Sequence, residues 1–412
     1  MRFCDTNESI SDKHTNMSPS LRLKKHEDRR LRSGHAWVYS NEVDVKQTPL
    51  GNFEPGDVVQ VEDARGKALG MACINPATLI CARLYSRRVP QALDQAYLVK
   101  RLRQALELRE LVLEQPFYRL VYGESDGLPG LVVDRFDTVL VVQITTAGME
   151  RVRDQIMDAL ETVLHPAVIL LRNDSPARQL EGLENYVETV LGHLPEQVEL
   201  EENGTRFVAP LAGGQKTGWY YDHRLNRLRM QTYVKNRRVL DVFSYVGAWG
   251  VQALQAGASN VTCVDSSNTF LDRARDNAAL NGRGEDIQTV AGDAFEVLKA
   301  LRTEGERYDV VVLDPPAFIK RRKDMKEGSV AYQRINRLAM QLISPGGVLV
   351  SASCSWHLKR SQLLEAMRKA AAINGQNLQI LEQGHQGPDH PVHPLMAETD
   401  YLKAYFARVG RQ

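Results

Sequence analysis

A chain of 412 residues is long enough for two or three domains that each bury a core, and 52 basic against 51 acidic residues leave a net charge of +1. Nothing global therefore calls for a polyanion, and any nucleic-acid surface has to come from local clustering. The five cysteines, Cys4, Cys73, Cys81, Cys263 and Cys354, show no C-x-x-C spacing, which argues for reduced thiols in a cytoplasm and against zinc or disulfides. No apolar run approaches the roughly 18 residues of a membrane span, so a soluble, cytoplasmic protein with no membrane partner and no metal is expected.

In chain order, residues 1–17 are polar and read as a disordered tail. A basic segment follows, with Arg22, Lys24, Lys25, Arg29 and Arg30 as candidates for phosphate contacts; a solvated helix face is the plainer reading. Short alternating strands over 57–61, 68–74 and 79–85, separated by a glycine turn, predict a small β-barrel-like module within 18–88. Residues 89–195 open with a helical periodicity over 92–113. They continue with strands at 118–121, 131–135 and 138–144, a helix near 149–164 and a strand at 167–171, a central α+β region. Between its first two strands lies Gly123-Glu124-Ser125-Asp126-Gly127-Leu128-Pro129-Gly130, for which turn architecture is a sufficient account.

The catalytic region is expected over 196–412. Asn203-Gly204 signals a hairpin, and the segment 213–224 mixes glycine, aromatics and charges in a way that suits a wall facing a ligand better than a core. The run Arg238 to Val242 then reads as a strand, residues 243–247 as a tight turn, and 251–256 as a helix start. From there a βα rhythm continues through strands at 260–265, 287–291, 308–313, 347–353 and 378–381, implying a mostly parallel, Rossmann-like sheet covered on both faces.

In such a sheet the turn after the first strand is where a nucleotide-like ligand sits. Phe243 and Tyr245 stand where a dinucleotide fingerprint needs glycine, so a pyrophosphate is crowded out. A nucleoside without phosphates fits better, and Asp241 at the strand end can face a cation, which points to S-adenosylmethionine. Asp265 is placed to accept from ribose hydroxyls, and Asp293 to bond an adenine amino group or, equally, to cap a helix.

Two further motifs end neighbouring strands: Asp314-Pro315-Pro316-Ala317-Phe318 and Ser353-Cys354-Ser355. Pyrimidine carbon 5 is too weak a nucleophile to take a methyl group unaided; a thiolate adding at carbon 6 makes it an enamine. Cys354 is of the right type for that addition, although a buried structural thiol is the common fate of a lone cysteine. Asp314 is of the right type to hold a proton on N3, with Phe318 facing the planar base. Lys320, Arg321, Arg322 and Lys323 follow and could grip flanking phosphates, unless the loop is merely solvated.

Taken together, Gly123–Gly130, Gly214-Gln-Lys-Thr-Gly218 with Asp222 and Arg224, Phe243–Gly247, Asp314–Phe318 and Ser353–Ser355 resemble the large-subunit ribosomal RNA cytosine-5 methyltransferases of the methyltransferase I type, over roughly 18–409. The resemblance implies an N-terminal PUA domain (18–88), a central α+β domain (89–195) and a class I methyltransferase domain (196–412). It implies Cys354 as nucleophile and Asp314 as the residue that holds the base. Lys216, Thr217, Asp222 and Arg224 would border the S-adenosylmethionine pocket with Asp241, Phe243, Ser244, Tyr245, Gly247, Asp265, Ser266 and Asp293. The expected substrate is large-subunit ribosomal RNA or its precursor particle, and a homodimer is left open. Trp249 stands where relatives often carry a smaller ring, and Ala317 replaces a commoner lysine. A methyltransferase acting on exocyclic amino groups and a non-catalytic RNA-binding protein are the alternative readings.

Overall fold

The computed structural model describes residues 18–411, so the expected tail at 1–17 lies outside the described residues. The chain divides into two compact units, the first ending at Ala92 and the second beginning at Leu93.

The first unit runs β1 (Ser20–Arg22), α1 (Arg29–Ser33), β2 (Trp37–Val38), β3 (Asp57–Glu62), β4 (Ala68–Ile74) and β5 (Ala82–Ser86), its five strands forming a sheet ordered β1-β3-β4-β5-β2. Alternation sets its core, with Leu21, Val38, Val59, Val61, Ala72 and Leu84 turned inward. The basic segment is thus a strand, a turn and one helical turn, not a continuous helix. Two of its cations are already committed, because Arg22 pairs with Glu62 at 2.7 Å and Arg30 with Glu42 at 2.6 Å. Lys24, Lys25 and Arg29 remain exposed, although Lys24 Nζ donates to the Asn41 carbonyl.

The second unit begins with α2 (Gln95–Val112), β6 (Phe117–Tyr122), β7 (Leu131–Phe136), β8 (Val139–Ile144), α3 (Ala147–Arg151), α4 (Arg153–Leu164), β9 (Val168–Asn173), α5 (Ala177–Leu180) and β10 (Tyr186–Leu191), with its strands in sequential order. The helix expected at 149–164 is two helices that meet at Val152. Strands β11 (Val198–Glu202) and β12 (Thr205–Ala209) form a hairpin whose Asn203 and Gly204 both have positive φ, 54° and 75°, as a two-residue turn of this type requires. After α6 (Arg224–Met230) come β13 (Arg238–Val242), α7 (Ala248–Gln255), β14 (Asn260–Asp265), α8 (Asn268–Leu280), β15 (Ile287–Ala291), α9 (Ala294–Thr303), β16 (Tyr308–Leu313), α10 (Met325–Gln341), β17 (Ile343–Ser353), α11 (Arg360–Ile373), β18 (Gln376–Gly384) and β19 (Lys403–Arg411).

These give a seven-stranded sheet ordered β15-β14-β13-β16-β17-β19-β18, parallel except for the antiparallel β19. Its order reverses at β13, so the crevice beyond the carboxyl ends of β13, β14 and β16 is where a ligand fits. The expected boundary at 195/196 is not a break in packing: Phe136 and Val141 share one core with Phe207, Trp219, Trp249 and Val350. No helix among the described residues is long and apolar enough to cross a membrane.

The glycine-rich turn after β6 serves more than chain reversal. Arg109, fully buried on α2, meets the Asp126 carboxylate through two bonds of 2.6 and 2.8 Å, and also donates to the carbonyls of Arg119 and Asp389. Removing one partner strands a buried charge, which costs about 3–5 kcal/mol. Asp126→Ala is therefore expected to lower the urea unfolding free energy by about that amount, against under about 1 kcal/mol for breaking the exposed Arg206–Glu199 pair.

Candidate active site

The loop after β13 is held in a form that most residues avoid. Phe243 and Tyr245 have φ of 67° and 50°, the left-handed region that disfavours bulky side chains. Backbone bonds hold the loop there: Phe243 N and Ser244 N donate to the Val264 carbonyl, and Tyr245 N donates to Asp265 Oδ2 at 3.0 Å. The Tyr245 ring meets Phe270 edge-on, with centroids 4.5 Å apart. At Gly247 a Cβ would come within 2.9 Å of the Ala274 Cβ, so glycine there lets the loop close on α8.

The acids divide by role. Asp241 lies under the loop, 0 % exposed; its Oδ2 accepts from Gly250 N at 2.9 Å, which braces the start of α7, and its Oδ1 is buried without a partner. Asp265 takes the amides of Tyr245 and Ser267, one on each oxygen, so its second lone pairs are what remain for a ribose. Asp293 caps α9 through Phe295 N and Glu296 N, both on Oδ1. Ser266 is exposed.

Of the segment before α6, Thr217 is buried and bonds Asp134 Oδ2, which Arg119 also grips. Arg224 donates to the Phe117 carbonyl and lies 5.3 Å from the Tyr221 ring centroid. Both residues, expected at a cofactor, are engaged in joining the central region to the sheet. Lys216 lies over the Tyr220 ring at 4.6 Å.

Asp222 keeps one oxygen open. Its Oδ2 accepts from the Tyr401 hydroxyl, while Oδ1 is buried without a partner. Burial works to raise its pKa, but the positive field around it, Lys216 included, and the Tyr401 hydrogen bond prevail and hold it well below the usual carboxylate range. A buried anion with an orphaned oxygen fits a cationic ligand group.

Asp314 directly follows β16, with its side chain 21 % exposed. Its Oδ2 accepts from Trp249 Nε1 at 3.0 Å, and its Oδ1 lies 3.1 Å from His223 Nε2. Burial would raise this carboxyl, yet the His223 ring and the Trp249 bond keep it below its ordinary value. It is thus an acceptor, the form in which a carboxylate can hold a hydrogen carried by a ring nitrogen or an amino group. The bulky indole at 249 also gains a reason.

Cys354 follows β17, which pairs with β16 through Leu313 and Ser351. The residues on either side of it are pinned. Ser353 Oγ and Ser355 Oγ each lie 2.8 Å from the Tyr332 hydroxyl, Ser355 Oγ accepts from Ile319 N, and Lys403 Nζ donates to the Ser355 carbonyl at 2.6 Å. Burial pushes the thiol up; Lys216 lowers it, and Asp314 and Asp222 raise it further. Those four groups therefore share one electrostatic site. Phe318 packs against Tyr332, Phe243 and Phe295 with centroids 4.9–6.3 Å apart. Lys320, Arg321, Arg322 and Lys323 are all exposed, Arg321 being paired with Asp324.

His223, Tyr401 and Lys403 were not singled out from sequence. For His223 the one available signal was its place next to Asp222 in an aromatic and charged run. The other two come from β19 or just before it, and only the sheet topology brings them to the rim.

Residues 180–405 match the S-adenosylmethionine-dependent methyltransferase family, and residues 21–87 a PUA-like domain. The chain is 37 % identical over 398 residues to the ribosomal RNA large subunit methyltransferase I of Enterobacter sp. (strain 638), covering 95 % of this chain and 100 % of that protein. The protein of the same name from Klebsiella pneumoniae (strain 342) is 37 % identical over 95 % of this chain and 98 % of its own. A structure solved in complex with S-adenosylhomocysteine shares the fold, with a TM-score of 0.81 and 21 % identity over 95 % of this chain and 100 % of that one. A structure from Streptococcus mutans gives 0.78 at 21 %, with the same coverage of both chains.

Burial pushes the Asp241 carboxyl up to about 7, against the Gly250 bond and with Asp314 and Asp265 adding. The folded state then keeps a proton that the unfolded chain, titrating at about 4, gives up. Stability from this group is complete below pH ~4 and is lost as pH rises to ~7. Asp241→Asn, which keeps an acceptor for Gly250, should gain on the wild type in urea midpoint between pH 5 and pH 8; an unchanged gap would show that Asp241 does not titrate there.

Proposed function

Because the chain belongs to the ribosomal RNA large subunit methyltransferase I family, we propose that it methylates carbon 5 of a cytosine in large-subunit ribosomal RNA through a covalent bond from Cys354 to carbon 6. The observation that carries this reading is the cysteine itself. It sits between two pinned serines at a strand end, within the electrostatic reach of an ionised Asp314 on the adjacent strand.

S-adenosylmethionine supplies an electrophilic methyl group. Asp222, with its free oxygen, and Asp265 are the acids that would hold it, beside the loop at Phe243, Ser244, Tyr245 and Gly247. Lys216 and Asp293 border the same rim. The Cys354 thiol gives its proton to water, and the thiolate forms a bond to carbon 6 while the ring π electrons move toward carbon 5 and N3. Carbon 5, now nucleophilic, takes the methyl group. Loss of its proton to water then restores the double bond and expels the thiolate. Asp314 holds the base by accepting from its edge. The base has to be unstacked to reach this rim.

Lys320, Arg322 and Lys323 are exposed cations that fit the phosphates flanking the base; on the PUA-like unit Lys24, Lys25 and Arg29 are exposed cations that suit RNA phosphates in their own right. A ribosomal RNA substrate places the protein in the cytoplasm.

With tritiated S-adenosylmethionine and ribosomal RNA from cells lacking the protein, nucleoside analysis should show label in 5-methylcytosine. Cys354→Ala should abolish transfer while calorimetric S-adenosylmethionine binding is kept, and Asp314→Asn should reduce transfer by about 10²–10³-fold. Full activity of Cys354→Ala would instead select methylation of an exocyclic amino group. RNA binding without any binding of S-adenosylmethionine would select a non-catalytic role.

A further inference from the structure

The hydrogen on the His223 ring can be located from its surroundings. The Asn226 amide is fixed, because its nitrogen donates to the His385 carbonyl at 3.1 Å and its oxygen accepts from Arg229 at 3.3 Å. That same nitrogen lies 3.2 Å from His223 Nδ1 and has only hydrogens to offer, so Nδ1 is the acceptor and Nε2 carries the hydrogen. His223 is 3 % exposed, and its Nε2, although 3.1 Å from Asp314 Oδ1, is a buried donor with no aligned hydrogen-bond partner. A buried donor that meets its neighbouring carboxylate so far out of line keeps hydrogen-bonding capacity for a ligand acceptor placed beside that carboxylate.

The rim therefore presents a donor, His223 Nε2–H, beside an acceptor, the Asp314 carboxylate. This is the pattern with which guanine meets cytosine. Cytosine offers an acceptor at N3 next to a donor at N4, whereas uracil offers the reverse, N3–H beside O4. A donor at N3 is also what Asp314 lacks, since negative charge collects there once carbon 6 is attacked.

We propose that His223 and Asp314 together select cytosine, His223 donating to N3 and Asp314 accepting from the 4-amino group. The assignment rests on the reading of the site as a cytosine methyltransferase, and it adds His223 as the specificity-determining residue. Uracil would set donor against donor and oxygen against carboxylate, and each matched edge contact of this kind changes affinity by roughly 5- to 150-fold.

The test uses the methylated cytosine mapped with the wild-type enzyme. RNA fragments carrying cytidine, uridine or 3-deazacytidine at that position are bound to full-length Cys354→Ala protein, so that no chemistry contributes. 3-Deazacytidine has a C–H in place of N3 and removes only the contact assigned to His223. The expected result is a loss of about 10- to 100-fold for 3-deazacytidine and for uridine. Adding His223→Leu should shrink the 3-deaza penalty to under about threefold, while His223→Gln, which can still donate, should keep most of it.

An equal 3-deaza penalty in the Leu protein overturns the assignment. If that variant does not fold, a Cys354→Ala protein that binds both bases equally overturns it as well. These outcomes are separate from failure of the underlying reading, which would show as no mapped cytosine or as turnover that does not need Cys354, and which would remove the proposal with it.

Discussion

One carboxylate with no exposure holds the catalytic half of the molecule in register. Glu202, at the end of β11, accepts from Arg227 at 2.5 and 3.0 Å, from Trp219 Nε1 at 3.1 Å and from Gln252 at 2.9 Å. The hairpin, the segment after it, α6 and α7 thereby converge on one buried anion. Its burial would make it protonate, and the charges of Arg227 and Arg224 keep it ionised and low. The consequence is positional. Asp222 and His223 lie between two of its partners, so their place over the rim is set by an ion pair several residues away, with no substrate needed to organise them.

The same economy marks the rim. Asp314 has one oxygen filled by Trp249 and the other beside His223, Asp222 keeps one oxygen filled by Tyr401, and Asp265 is half used by its own loop. Each acid is steered by one set of lone pairs and retains another. Preorganisation of this kind lets polar groups face a ligand without first paying for their own ordering. It also separates two functions that one residue type could be asked to share: the carboxylate accepts, and the imidazole donates.

Much of this was legible in the order of residues. The Asn203-Gly204 hairpin follows from a turn that needs two positive φ values, and the strand-end acids follow from where an α/β sheet binds ligands. The Asp-Pro-Pro and Ser-Cys-Ser motifs could be placed on neighbouring strand ends from βα alternation alone. What sequence could not give is partnership across distance. Thr217 and Arg224 look like ligand contacts beside Lys216 and Asp222, yet they turn to Asp134 and Phe117, residues 83 and 107 positions earlier. Arg22 and Arg30 look free for phosphate until folding sets buried glutamates against them. His223 is ordinary in sequence and becomes informative only when Asn226 fixes its tautomer.

The antiparallel β19 carries a temporal implication. It inserts between β17 and β18, and Tyr401 and Lys403 at its start supply a hydroxyl to Asp222 and an ammonium to the turn that bears Cys354. Every other group at the rim precedes them in the chain. Synthesis proceeds from the N-terminus and folding follows it, so the crevice stays unfinished until β19 slides into the sheet. The rim is thereby closed by a strand made after both of the neighbours between which it inserts.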